Sequence, residues 1–354
     1  MGHATGITMK RAATRALAAG LTLAAIALGA AGQASSATLD TVRARGRILC
    51  GVGESFPGFF AADSNGRWQG LDVDFCRALA AAVLGDAEKV TFAPATPVAR
   101  FPQLQSGEVD LLSRSVTWTL SRDAALGLHF VGVTFHDGQG FMVRKALGVA
   151  HVSELRDATI CTQSGTTTER NLADWFRARG IGFSPVVFET APQAVAAYES
   201  GRCDAYTTDR STLQARLGAM QDPAAHVILP ETITSALNGP VVRQGDGQWA
   251  NIVRWTLNAL IGAEARGITS ANAEQLRATS THPETRRMLG AEGGLGRMLG
   301  LSDSWAYEAI RQVGNYAEIY ERNLGPGARV QIPRAGGPNR LAVDGGLLVA
   351  PAFE

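Results

Sequence analysis

Side chains that could do chemistry are few and scattered in this 354-residue chain. His129, His136, His151, His226 and His282 have no partner at catalytic or metal-ligating spacing, so each reads as a surface or capped histidine. There is no Gly-x-Ser-x-Gly elbow and no phosphate loop ending in Gly-Lys-Ser/Thr. Gly294, Gly296 and Gly300 in GGLGRMLG imitate a nucleotide fingerprint. No strand precedes them and the last spacing is wrong, so they read as a loop between helices. The remaining polar candidates sit at the ends of elements: Arg122 in TWTLSRD, Thr166 and Thr167 opening TTERNLADWF, and Asp209 closing DAYTTD. Each also has a plain structural reading. Arg122 could pair at the surface with Asp123, Thr166 could be an N-cap with Glu169 completing a capping box, and Asp209 could cap a helix beginning near Ser211.

Composition narrows the function classes. With 33 Lys plus Arg against 32 Asp plus Glu, the net charge of +1 carries no basic excess of the kind that neutralises phosphates, so nucleic acid is a poor partner. The length suggests about two domains. Residues 1–37 place Lys10, Arg11 and Arg15 before an apolar run from Ala16 to Gly32 and a small-residue run from Gln33 to Ala37. That order is a secretory signal peptide. The alternative, a membrane anchor, suits it less, because the run is short for a span of ~20 residues and is interrupted by Gly20, Gly29 and Gly32. The mature chain is expected to be soluble and to begin near Thr38. Three positive charges and no acidic one leave with the signal, so +1 becomes −2.

Export changes how the cysteines read, since thiols pair in an oxidising compartment. The favoured pairing among the three that are open is Cys50 with Cys76 and Cys161 with Cys203, each closing a local loop worth ~3 to 4 kcal/mol in the chain-entropy model. Four free thiols are the alternative, and no CxxC or HxxxH spacing supports a metal site.

The elements that must position these residues follow a repeated order. RILCGVG, a helix from about Val73 to Leu84, KVTFAPA, a short helix around RFPQLQSG and VDLLSRS give βαβαβ, hence a largely parallel sheet. ATICTQSG, TTERNLADWFRARG, PVVFE, PQAVAAYESG and CDAYTTD repeat it. LQSGEVDLLSRS and YESGRCDAYTTD echo one another, each with Ser-Gly and a strand containing Asp. The chain is expected to cross out near Gly140 to Lys145 and back near Gly239 to Arg243. The second unit (143–240) is then inserted into the first (38–142 plus 241–354), and ligands collect in the crevice between them. The remainder is helical, with the 3.6-period stripe Ala306, Ile310, Val313, Ala317 and Tyr320 expected in the core.

GLDVDFCRALAAAVLGD, RFPQLQSGEVDLLSRSVTWTLSRD, GVTFHDGQGFMV, QSGTTTERNLADWF, YESGRCDAYTTDRS and QVGNYAEIYERNLG resemble the general L-amino-acid-binding proteins of bacterial polar amino-acid ABC importers, within family 3 of the extracellular solute-binding proteins. The resemblance runs over essentially the whole mature chain. It implies an α/β, periplasmic-binding-protein-like fold of type II. Two α/β lobes are joined by two hinge strands and carry a helical C-terminal extension. It further implies a periplasmic monomer that needs no cofactor or metal, closes on a free L-amino acid and docks on a membrane permease.

Such a zwitterion needs donors for its carboxylate and acceptors for its ammonium. Arg122 resembles the family arginine that grips the carboxylate, with Thr166 and Thr167 on its other side. Asp209 resembles the acid that accepts from the ammonium, helped by Ser115 and Thr117, although the family pattern carries Asn at position 115. Glu54, Ser55 and Phe56 follow the first strand and could meet the ligand side chain, Phe56 as an apolar wall. The alternative function is a dehydratase acting on prephenate or arogenate on the same scaffold, which would need a general acid or base against its substrate.

Overall fold

In this computed structural model, residues 38–354 are described. The expected signal segment, 1–37, lies outside them. The chain opens with α1 (Thr38–Arg45), β1 (Ile48–Val52), the short pair β2 (Ala61–Ala62) and β3 (Trp68–Gln69), α2 (Leu71–Leu84), β4 (Val90–Pro94), α3 (Arg100–Gln105), β5 (Leu111–Thr117), α4 (Leu120–Ala125), β6 (Leu128–Phe130) and β7 (Phe135–Arg144). Then come β8 (Ala158–Gln163), α5 (Thr167–Ala178), β9 (Phe183–Phe188), α6 (Ala191–Glu199), β10 (Ala205–Asp209), α7 (Arg210–Leu217), β11 (His226–Ile228) and β12 (Thr234–Arg243). The helices α8 (Gly247–Ala265), α9 (Ala273–Thr279), α10 (Pro283–Met288), α11 (Leu295–Leu299), α12 (Trp305–Val313) and α13 (Tyr316–Leu324) follow. Among the described residues no helix is long and apolar enough to cross a membrane.

The main sheet runs β4-β1-β5-β12-β7-β10-β8-β9. β1 lies parallel to β4 and β5, and β8 lies parallel to β9 and β10. The two parallel halves are joined by β7 and β12, which pair with each other antiparallel at Phe135–Gln139 and Thr234–Asn238. Beyond that stretch the strands part company: Gln139–Val143 pairs with β10, and Asn238, Gly239 and Val241 pair with β5. The crossing therefore lies a few residues before the expected Gly140–Lys145 and Gly239–Arg243, which already belong to the opposite halves. Gly239 is needed there, because a Cβ would stand 1.9 Å from the Gly132 carbonyl oxygen.

The sequence echo has atomic content. Asp110, after the first Ser-Gly, accepts the N–H of Leu49 at 2.7 Å, and Asp204, after the second, accepts that of Thr159 at 2.7 Å. In both halves a carboxylate thus fastens the start of the neighbouring parallel strand. The two crossing strands end alike. Arg144 of β7 donates to Tyr198 O and Cys203 O, and Arg243 of β12 donates to Leu104 O and Val109 O. A buried disulfide adds to each half, Cys50–Cys76 tying β1 to α2 and Cys161–Cys203 tying β8 to the entry of β10.

Packing follows the pattern of apolar residues. The Ala-rich α2 ends at Gly85, left-handed at φ 71°, whose N–H reaches Ala81 O. It shares one core with α8, α12 and α13, while two smaller cores lie on either face of the inserted half. Ala306, Ile310, Val313 and Tyr320 are buried, although Gly314 (φ 101°) and the Asn315–Glu318 capping box split their segment into α12 and α13. GGLGRMLG is not a plain loop: Leu295–Leu299 forms α11 between left-handed Gly294 and Gly300.

The segment after α13 returns to the crossing pair. At His136, β7 meets β12 on one edge, and β10 begins only at Gln139. Asn339 occupies the other edge, accepting His136 N–H at 2.7 Å and donating to His136 O at 2.9 Å. Asn339→Ala leaves both groups unpaired. It is expected to destabilise the fold by about 1–2 kcal/mol, read as a melting temperature lowered by a few degrees; an unchanged melting curve would deny the contact any weight.

Candidate functional site

The carboxyl ends of β1, β5, β8 and β10 converge where the two halves face each other, the place where α/β sheets collect ligands. Glu54, Phe56, Ser115, Thr166 and Asp209 line one cleft there, with about 110 Å³ accessible to water. Arg122 lines an adjoining recess that shares Thr166. Thr117 and Thr167 stand at the seam, their hydroxyls 3.4 Å apart across the two halves. The halves also touch where Arg100 donates to Gly165 O at 3.2 Å and Arg216 donates to Ser55 O at 2.6 Å.

Arg122 is not a surface partner of Asp123. It is buried in α4, and its Nη1 donates to Thr117 O at 2.8 Å, while its guanidinium lies 5.3 Å from the Phe101 ring. Asp123 is occupied elsewhere, accepting Trp118 Nε1 at 3.1 Å and Phe130 N at 3.4 Å. Burial, with Arg170 adding repulsion, pushes Arg122 down to about 10, so it remains a cation at neutral pH. A cation held by a neutral carbonyl keeps the rest of its fork for an anion.

Thr166 is the N-cap of α5, its hydroxyl accepting Glu169 N–H at 3.1 Å and donating to Gln163 O at 2.7 Å. The expected capping box is displaced by one residue, since the Glu169 carboxylate takes Gly165 N–H instead. Asp209 occupies the N-cap position of α7 but makes no capping bond. Asp137, on β7, does that work, accepting Ser211 N–H at 3.3 Å and the Ser211 hydroxyl. The Asp209 carboxyl is thereby left to the cleft. Burial, and then the neighbouring Asp137 carboxyl, push Asp209 upward, against the amide of Asn238 and the cations Arg122 and Arg100.

Ser115 carries the strain. Its φ of 52° is left-handed, costly for a residue with a Cβ, and its hydroxyl donates to Asp72 Oδ2 at 2.9 Å. Asp72 is buried at the start of α2, pushed up to about 6 by burial, and also accepts the Ser113 hydroxyl at 3.1 Å. Phe56 is buried against its neighbours, stacked on Phe59 at 4.3 Å and edge-on to Phe60, with one side toward the cleft. Glu54 and Ser55 are exposed at the rim.

Sequence reasoning missed Arg100 and Arg114. Both are buried and line the cleft beside Ser115 and Asp209. Arg114 lies inside the apolar strand LLSRSV, and a charge in a strand buried on both faces is a signal that was available. Arg100 gave none, since the first residue of a short helix is ordinarily exposed. The Ser115 strain yields a test. Asn, which tolerates left-handed backbone, is expected to be accommodated in Ser115→Asn, whereas the β-branched Ser115→Val should lose about 1–3 kcal/mol, read by chemical denaturation.

The model of the bacterial extracellular solute-binding proteins, family 3, matches residues 48–266. The general L-amino acid-binding periplasmic protein AapJ of Rhizobium johnstonii is 50% identical, over 95% of this chain and 98% of its own. The glutamate/glutamine/aspartate/asparagine-binding protein BztA of Rhodobacter capsulatus is 48% identical, over 93% of this chain and 97% of its own. A periplasmic binding protein of an ABC transporter from Brucella ovis, solved with glutathione bound, is 48% identical with a TM-score of 0.87, covering 90% of this chain and all of that one.

Proposed function

The chain belongs to the bacterial extracellular solute-binding proteins of family 3, and we propose that it is the periplasmic component of an ABC importer that captures free L-amino acids of several kinds. The observation that carries this reading is the junction of the two halves, where a buried guanidinium, Arg122, in the recess beside the cleft, lies within the field of a cleft carboxyl freed from capping, Asp209. AapJ and BztA are named as amino-acid binders, and neither is named as an enzyme. The dehydratase alternative is accordingly set aside in favour of binding without turnover.

In this reading residues 1–37 are a removed signal, and the mature monomer has two lobes. One is 38–142 plus 241–354 and the other is 143–240, with their boundaries drawn back to the crossing pair. Arg122, the Thr167 hydroxyl and the backbone N–H groups of Thr166 and Thr167 hold the α-carboxylate. Asp209, Ser115 and Thr117 take the α-ammonium, while Glu54 and Phe56 face the side chain. Arg122 and Asp209 act together only when the lobes meet, so the ligand stabilises the closed form by differential contact. The closed form is what a membrane permease receives.

A thermal-shift screen against the twenty amino acids and glutathione tests ligand class. Arg122→Ala should weaken binding at least ~100-fold by calorimetry, as expected for losing a charge-assisted fork; unchanged affinity would remove Arg122 from the site. An ammonium at Asp209 favours its carboxylate, so binding should release a proton and weaken as pH falls from about 8 to about 6, by up to about tenfold per unit. Calorimetry in buffers of differing ionisation enthalpy reads that proton, and a pH-independent affinity would place the ammonium elsewhere.

A further inference from the structure

Among the described residues, one buried amide side chain has both of its polar atoms without a partner. Asn238 is 1% exposed, and neither its Nδ2 nor its Oδ1 makes a hydrogen bond. Other amides at the crossing are held. Gln139 donates to Thr168 O at 3.0 Å and to Thr207 Oγ1 at 2.9 Å, and Asn339 is fixed to His136 at both ends of its amide. A buried amide that gives up water for no partner is costly, and an apolar side chain of similar size would serve packing better.

The backbone settles where this amide stands. Asn238 lies on β12 at the point where the crossing pair parts, opposite Phe135 of β7 and Thr117 of β5. Residues directly opposite in an antiparallel pair project to the same face, so its side chain shares the face of Thr117, whose hydroxyl stands at the seam 3.4 Å from that of Thr167. Its own carbonyl accepts the Thr134 N–H at 2.8 Å and the Thr134 hydroxyl at 3.2 Å, and the next residue, Gly239, is pressed against Gly132. The amide is thus presented from the junction itself rather than from either half. There it meets Asp209, whose charged form it favours together with Arg122 from α4 and Arg100 from α3, against burial and Asp137 from β7. Nδ2 is a donor suited to that carboxylate. Oδ1 is an acceptor beside a negative group, the setting for a cation that carries several N–H donors, as an α-ammonium does. The Ser115 and Thr117 hydroxyls are already engaged with Asp72 and Thr167, whereas Oδ1 is claimed by no protein donor.

We propose that Asn238 is a ligand-binding residue, its Nδ2 turned to Asp209 and its Oδ1 accepting from the α-ammonium that Asp209 neutralises. The inference rests on the amino-acid-binding reading above, with Asp209 as the ammonium receptor. It gives the crossing strand β12 a direct part in capture, because the ligand then touches the junction as well as the two halves that close on it.

The test is calorimetry on the full mature chain with L-glutamine, L-glutamate and L-alanine across the range from about pH 6 to about pH 8, beside melting curves without ligand. Asn238→Leu removes the amide at nearly constant volume. Without ligand, this variant is expected to melt at the wild-type temperature or higher, since two unpaired polar atoms leave the interior. Each amino acid that binds the wild type should bind the variant about tenfold more weakly. The fall of affinity on acidification should set in about half a unit to one unit higher in pH, because Asp209 loses a donor that favours its carboxylate, the form that receives the ammonium. Asn238→Ala should move affinity and pH profile in the same directions, and it keeps the test valid should the leucine variant not fold. Affinity and pH profile both unchanged in a folded variant, or a lower melting temperature with affinity retained, overturns the assignment. Failure of all three amino acids to bind the wild type overturns the amino-acid reading instead.

Discussion

The antiparallel pairing of Phe135–Gln139 with Thr234–Asn238 is the constraint on which the rest of the structure depends. Each strand begins in that pair and ends in the half opposite to the one it came from. A sheet of two parallel halves is thereby made continuous while the halves remain linked by only two strands. Residues that come from four strand ends, and from both sides of a long insertion, are gathered into one cleft. The same crossing pair is where the C-terminal segment attaches, through Asn339 on the free edge at His136. The segment that follows the last helix therefore bears on one of the two strands that link the halves.

The cleft shows how polar burial is arranged for binding rather than stability. Asp137 caps α7 from the neighbouring strand, which releases Asp209 from a role its position would otherwise give it. The buried arginines are held by carbonyls and left without carboxylate partners. A protein optimised for stability alone would pair or replace such groups, since a lone buried charge is destabilising. Ser115, held left-handed and bonded to Asp72, stores further strain at the same place. Uncompensated charge and backbone strain collect where a charged ligand is proposed to sit, and a ligand that supplies the missing groups would relieve the first.

Much of this was legible in the residues. The alternation of apolar runs and amphipathic segments determined two α/β units, because burial of parallel strands on both faces leaves continuous hydrophobic stretches that turns must separate. The Ser-Gly…Asp echo carried real geometry, since Asp110 and Asp204 do equivalent work. Cysteine position pointed to one local pair in each unit, as found at Cys50–Cys76 and Cys161–Cys203. Tertiary structure decided what depends on contacts between distant segments. The crossing point moved because strand pairing, and not apolar pattern, sets it. Arg122 turned inward because Asp123 had nearer partners, and Asp209 came free because Asp137 arrived from seventy-odd residues away in sequence. Arg100 and Arg114 became site residues only when the halves enclosed them, since burial of a charge is a property of the assembled surface and leaves no local periodicity to read.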